Sequence, residues 1–127
     1  MRESGEDYLE AVLALSEKEE NVRLTDVAKA LNVTKPSASR AMKNLQLEGY
    51  IHQESYGTIE LTEKGRRKAN QIYGRHKMLT TFLNEVLGLD ADIAEADACR
   101  MEHILSSETI EKFATFVEKH KEKDPVA

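Results

Sequence analysis

The chain carries a single cysteine, Cys99, and within four positions of it a carboxylate and an imidazole, Glu102 and His103, in the stretch DACRMEHILS. On a helix turning about 100° per residue, Glu95, Cys99, Glu102 and His103 fall within an arc of about 100°. The apolar residues Ala94, Ala98, Met101 and Leu105 form the neighbouring stripe, while Asp97 and Arg100 point away from both. A second acidic pair, Asp7 and Glu10, is spaced one helical turn apart, and Ala14 continues that stripe with almost no side chain. His76 follows a basic run in the middle of the chain. Thiolate, imidazole and carboxylate together are ligands for a transition metal. A set rich in carboxylates suits Mn²⁺ or Fe²⁺ better than the thiolate-rich sites of structural zinc. The thiol also strengthens binding of later metals, so Co²⁺, Ni²⁺ or Zn²⁺ are expected to bind in vitro. No CxxC and no HExxH occurs, which excludes zinc-ribbon and metalloprotease readings.

Each residue taken singly has a plainer role. A lone cysteine is commonly a small hydrophobe. His103 alone reads as a hydrogen-bonded core imidazole. Asp7 and Glu10 alone read as a solvated pair favoured by the start of a helix. The joint spacing carries the metal reading. An enzyme with Cys99 as nucleophile fits poorly: a nucleophile needs a base, an oxyanion site and a substrate cleft, and the neighbouring carboxylates disfavour the thiolate unless a metal is present.

Elements must exist to hold these groups. Residues 6–18 repeat apolar side chains at helical spacing. A polar break, EENVR, follows, with Thr25 expected to cap the short helix DVAKAL. Thr34 is expected to cap a second helix, KPSASRAMKNLQLE, which tolerates Pro36 in its first turn and stops at Gly49. YIHQES and IELT read as a hairpin turning at YGT. Thr62 opens a long helix ending at Gly88, with Gly65 and Gly74 arguing against its continuity. Asp90 is expected to cap the helix bearing Cys99. Ser106 or Ser107 is expected to cap the last helix, whose apolar side is Ile110, Phe113, Phe116 and Val117.

Helix, short helix, turn, helix, hairpin is the order of a winged helix-turn-helix. The charges agree with it. The whole chain of 127 residues carries −5, yet residues 23–77 hold 11 basic and 5 acidic groups, flanked by acidic segments. A basic middle is the footprint of a nucleic-acid partner. Groove-reading side chains are expected at Lys35, Pro36, Ser37, Ser39, Arg40 and Lys43, with Thr25 and the wing-tip Tyr56 as further contacts. Ala41, Leu45 and Leu47 are expected to pack inward. Lys64, Arg66, Arg67 and Lys68 lie where they could also meet phosphate. One such module reads too little sequence alone, so a dimer on two half-sites is expected.

With these motifs in view, the chain resembles the diphtheria-toxin-repressor and manganese-transport-regulator family of metal-dependent repressors. The resemblance spans nearly the whole chain, through EDYLEAVLAL, LTDVAKALNVTKPSASRAMKNLQLEGYI, IELTEKGRR, RHKMLTTFLNEVLGL and ACRMEHILS. It implies a metal-activated homodimer that represses metal-uptake genes. Asp7, Glu10, His76, Cys99, Glu102 and His103 match metal-binding places of the family, and Glu95 stands where the iron branch has an ancillary-site histidine. Asp7 is acidic as in the manganese branch, where the iron branch has methionine. Cys99 is as in the iron branch, where the manganese branch has glutamate. Thr80 replaces a frequent ligand-type glutamate. The chain ends at Ala127, which implies the short, two-domain form without a third, SH3-like domain.

The expectation is therefore a mostly α protein. A winged helix-turn-helix DNA-binding domain over 1–70 precedes an all-helical dimerisation and metal-binding domain over 71–127. It acts as a cytoplasmic repressor on double-stranded operator DNA, with no signal peptide, no membrane partner and no internal disulfide. The alternative is a metal-independent winged-helix regulator whose C-terminal helices only dimerise or bind a small organic ligand.

Overall fold

The computed structural model describes residues 3–54 and 57–123, with side chains described for 5–54 and 57–121. It divides into two compact units, with the boundary between Gln71 and Ile72.

The first unit opens with helix α1 (Glu3–Lys18), whose residues Tyr8, Leu9, Val12 and Leu13 are buried. They pack on α2 (Leu24–Leu31) and α3 (Lys35–Leu47), which bury Val27, Ala28, Ala38, Met42 and Leu45. The sheet has strands β1 (Val22–Arg23), β2 (Ile51–Gln53) and β3 (Thr58–Leu61) in the order β1-β3-β2, all antiparallel. Val22 pairs with Ile59, and Ile51 with Leu61; Val22, Ile51 and Ile59 turn into the core.

Strand β1 lies in what the sequence offered only as a polar break. Two residues are too few for a periodic signal, and the strand exists only through its pairing with β3. It also moves the start of α2. Arg23 is the N-cap, and the Asp26 carboxylate accepts its backbone N–H at 2.9 Å. Thr25 therefore lies inside the helix and does not cap it. Both α2 and α3 close with paired reverse hydrogen bonds. In α2, left-handed Asn32 (φ 54°) donates to Lys29 and Val33 donates to Ala28. In α3, Gly49 (φ 84°) donates to Gln46 and Tyr50 donates to Leu45. Side chains meet more strain at that φ than glycine does, which fixes where α3 stops.

One expectation for α3 changes: Leu47 is 85% exposed, while Met42 is fully buried. The buried stripe is Ala38, Met42, Leu45, and Leu47 lies about 200° further round than Leu45.

Helix α4 (Glu63–Thr81) runs without a break across the unit boundary. Gly65 does not interrupt it. A Cβ there would sit 1.8 Å from the Tyr50 carbonyl oxygen, so the glycine permits close backbone approach. Thr62 fastens the same place: its hydroxyl donates to Gly49 O at 2.6 Å and accepts Gly65 N–H at 3.0 Å, while its own N–H donates to Tyr50 O. Lys64 donates to Glu48 O at 2.7 Å and lies 4.5 Å over the Tyr50 ring.

In the second unit α4 passes into a π-helical turn (Phe82–Val86), closed by Gly88 at φ 76°. Then come α5 (Ala91–Ile104) and α6 (Ser107–Lys123). Asp90 occupies the N-cap position of α5 without a side-chain capping bond, whereas Ser106 Oγ does accept Thr109 N–H at 3.1 Å. Leu79, Leu83, Ala94 and Ala98 form the core, covered by Met101, Leu105, Ile110 and Phe113 among others. Phe82 meets Phe113 edge-on at 4.8 Å. Phe116, placed by the sequence on the apolar side of α6, is 52% exposed.

Candidate functional site

In the second unit, Glu102 is the organising residue. It lies on α5 in register with the buried Ala94 and Ala98, and is itself fully buried. Burying a carboxylate is costly unless it is paired. Its two oxygens reach two imidazoles: Oε2 is 3.0 Å from His76 Nδ1, and Oε1 is 3.2 Å from His103 Nε2. The His76 side chain is 16% exposed and that of His103 only 1%. Cys99, one turn before His103, is exposed at the edge of the same face. Its sulfur, a Glu102 oxygen and a His103 nitrogen lie within 4.8 Å of one another.

Glu102 is shared by two separate donor groups, one with Cys99 and His103 and one with His76. Carboxylate, imidazole and thiol are donors that suit divalent transition metals. Adjacent ligands of one octahedral ion, with bonds near 2.1 Å, stand about 3 Å apart. The two oxygen–nitrogen separations match that spacing. The same separations let the carboxylate hold both rings in place as an outer partner would.

Glu95 is different. It is exposed and is not gathered with Cys99, Glu102 and His103. Thr80 spends its hydroxyl on the His76 carbonyl of its own helix, at 2.8 Å. Asp7 and Glu10 lie on α1 in the first unit, both half-buried, one turn apart. Sequence reasoning passed over their neighbour Glu6, which is buried. Its place in line with Leu9 and Leu13 was the available signal.

The DNA-reading candidates sit on or beside α3. Thr25, Lys35, Pro36, Ser39, Arg40 and Lys43 are exposed. Ser37 is half-buried and joined to the cap: the Thr34 hydroxyl donates to Ser37 Oγ at 2.9 Å and accepts Ser37 N–H at 3.2 Å. Tyr56 lies outside the described residues. One contact had no signal in the sequence. Gln46 Oε1 accepts the Gln53 backbone N–H at 3.0 Å, tying α3 to the edge of the wing.

A three-helix unit with a wing, joined to a helical unit carrying a buried carboxylate between imidazoles, defines a DNA-binding protein with a metal-type centre. Comparison with known proteins gives the family. Residues 1–59 match the iron-dependent repressor N-terminal DNA-binding domain, and 62–126 match the iron-dependent repressor metal-binding and dimerisation domain. An uncharacterized HTH-type transcriptional regulator of Methanocaldococcus jannaschii is 41% identical over 124 residues, covering 97% of this chain and 99% of that one. The transcriptional regulator MntR of Escherichia coli is 34% identical over 119 residues, covering 94% and 76%. Among solved structures, a manganese-dependent transcriptional repressor in complex with manganese superposes with a TM-score of 0.82 at 27% identity, and the manganese regulator SloR with 0.78 at 30%. In both cases 90% of this chain is covered, and it spans about half of the other, 52% of the first and 53% of SloR. The chain belongs to the iron-dependent repressor family, the group of diphtheria-toxin-repressor and MntR proteins. It is a metal-dependent transcriptional repressor and not an enzyme. Among the described residues, no helix is long and apolar enough to cross a membrane.

Proposed function

We propose that the protein is a cytoplasmic repressor of metal-uptake genes, activated by Mn²⁺ or Fe²⁺ and acting as a homodimer on operator DNA. The observation that carries the metal assignment is the fully buried Glu102 carboxylate between His76 and His103, with Cys99 on the same face. Asp7 and Glu10 complete the proposed ligand set, on the resemblance of their positions to metal-binding places of the family. Glu95 stays outside it.

A bound divalent cation would supply the positive charge that lets this many carboxylates stand together. The chain's own residues do the rest. Glu102 orients both imidazoles. Asp7 and Glu10 couple the DNA-reading unit to the metal's occupancy, so activation is a population shift set by differential affinity for two arrangements. Cys99 draws preference toward Fe²⁺ and later metals, including Co²⁺, Ni²⁺ and Zn²⁺ in vitro, while the carboxylates draw it toward Mn²⁺. Lys35, Pro36, Ser37, Ser39, Arg40 and Lys43, with Thr25 and Tyr56, contact DNA.

Dimerisation is assigned to the second unit. An apolar groove of about 550 Å³ is lined there by Phe82, Val86, Leu87, Phe113 and Phe116, with Leu87 and Phe116 more than half exposed. A patch of that kind is what a second copy covers.

The test is anaerobic titration of Mn²⁺ and Fe²⁺ while following operator binding and thermal stability, then reversal with chelator. Both metals are expected to raise binding and melting temperature. No response to either favours the metal-independent regulator instead.

A further inference from the structure

The described surface of the first unit has a second concentration of positive charge, away from the reading end of α3. Tyr50, Lys64, Arg67, Lys68 and Gln71 line a cavity of about 380 Å³ beside the first turns of α4. Lys64, Arg67, Lys68 and Gln71 repeat at helical spacing, so they form one stripe. The Lys64 ammonium is held in place by the Glu48 carbonyl and the Tyr50 ring. One of its three donors is used at the carbonyl, which leaves capacity for an anion. Arg67 has one loose ion pair, 3.9 Å from Glu63, with both side chains at least 73% exposed. Pairs of that kind contribute little and exchange readily. Lys68 is half-buried against the same cavity.

Position says which anion this is. The cavity is fastened to the C-terminal end of α3 through Glu48 and Tyr50. Helix α3 has 13 residues and is therefore about 20 Å long. The major groove is only about 12 Å wide. With the first turns of α3 on base edges, its last turn overshoots the groove and reaches the level of the sugar–phosphate backbone. Cations placed there meet phosphates and not bases.

We propose that Lys64, Arg67 and Lys68 form a phosphate clamp for the operator backbone, distinct from the groove-reading residues and from the wing. The clamp adds affinity without sequence preference, because phosphate is the same at every step. It rests on the DNA-binding reading and adds to it a second contact surface.

The test compares the Mn²⁺-loaded wild type, as the 127-residue chain, with Arg67→Gln/Lys68→Gln. Lys64 is kept because it holds the end of α3. Anisotropy measures binding to a duplex selected by the wild type from a random-sequence pool, and to an unrelated duplex of equal length, across a salt series. Each phosphate contact contributes about 0.9 to the slope of log K against log salt. The double variant should flatten that slope by about 2 on both duplexes, with Mn²⁺ affinity unchanged. Lys119→Gln/Lys121→Gln on α6 makes the same charge change elsewhere and should leave the slope alone. An unchanged slope in the α4 variant overturns the clamp, as does an equal flattening in the α6 control. A free-anion site is separated by titrating inorganic phosphate without DNA. Thermal stabilisation that the α4 variant loses, with its DNA slope intact, would also overturn the proposal. Failure of the wild type to bind either duplex sinks the DNA reading itself, an outcome distinct from these.

Discussion

Helices α3 and α5 each carry a row of polar side chains, and they treat water in opposite ways. On α3 nearly every candidate is exposed, and the local bonds stop at the cap formed by Thr34 and Ser37. On α5 the central residue, Glu102, is fully buried, hydrogen-bonded to His76 and 3.2 Å from the His103 ring nitrogen. Exposed charges act through long-range attraction that salt screens. Buried ones act through short, fixed contacts whose loss leaves a desolvated group behind. Losses on α3 should therefore be graded, and losses on α5 all-or-none.

The largest effect should come from Glu102→Ala. Changes even to outer partners of metal ligands cost up to about 100-fold in affinity. This substitution should exceed that and abolish metal-dependent operator binding, as read by calorimetric Mn²⁺ titration and anisotropy. Wild-type metal response in a folded Glu102→Ala protein would break the contrast. Gly65→Ala comes next, because its Cβ cannot coexist with the Tyr50 carbonyl. We expect a loss of about 3 kcal/mol in urea unfolding, at the upper end for overpacking.

Arg40→Ala should weaken operator binding roughly tenfold, within the usual range for one DNA contact, and leave Mn²⁺ affinity alone. A matching drop in metal affinity would show that the two rows are not separable. Thr34→Ala removes the cap of α3 and should cost about 1 kcal/mol of stability. Leu47→Ser should change stability by no more than about 0.5 kcal/mol, since that side chain touches solvent. A cost above 2 kcal/mol would mean that Leu47 is covered.

Much of this was legible in the sequence where the signal is local. Thr34 and Ser106 cap where their side-chain chemistry predicts, and the stripe Ala94, Ala98, Met101, Leu105 packs as its spacing requires. The hairpin strands are where alternating apolar residues put them. The illegible parts depend on distant partners. Strand β1 exists because Ile59 and Thr58 lie alongside it. The start of α2 shifted because Asp26, not Thr25, supplies the capping oxygen. Gly65 read as a helix breaker because nothing in the sequence places it against Tyr50. For the metal centre, residue types and spacing selected the face of α5. They did not distinguish the buried Glu102 from the exposed Glu95, which lies two turns earlier on the same arc.

The junction of Tyr50, Thr62 and Gly65 bears on how this protein can diversify. It pins the base of the wing, and β1 pairs along the β3 edge, so the hairpin is held at both strands. At Gly57 a side chain would meet open space, although the positive φ still favours glycine. Length and composition can therefore drift between β2 and β3 while the recognition helix keeps its seat. On the proposed reading, a lineage can explore new operators through the wing while the residues assigned to the metal stay under separate selection.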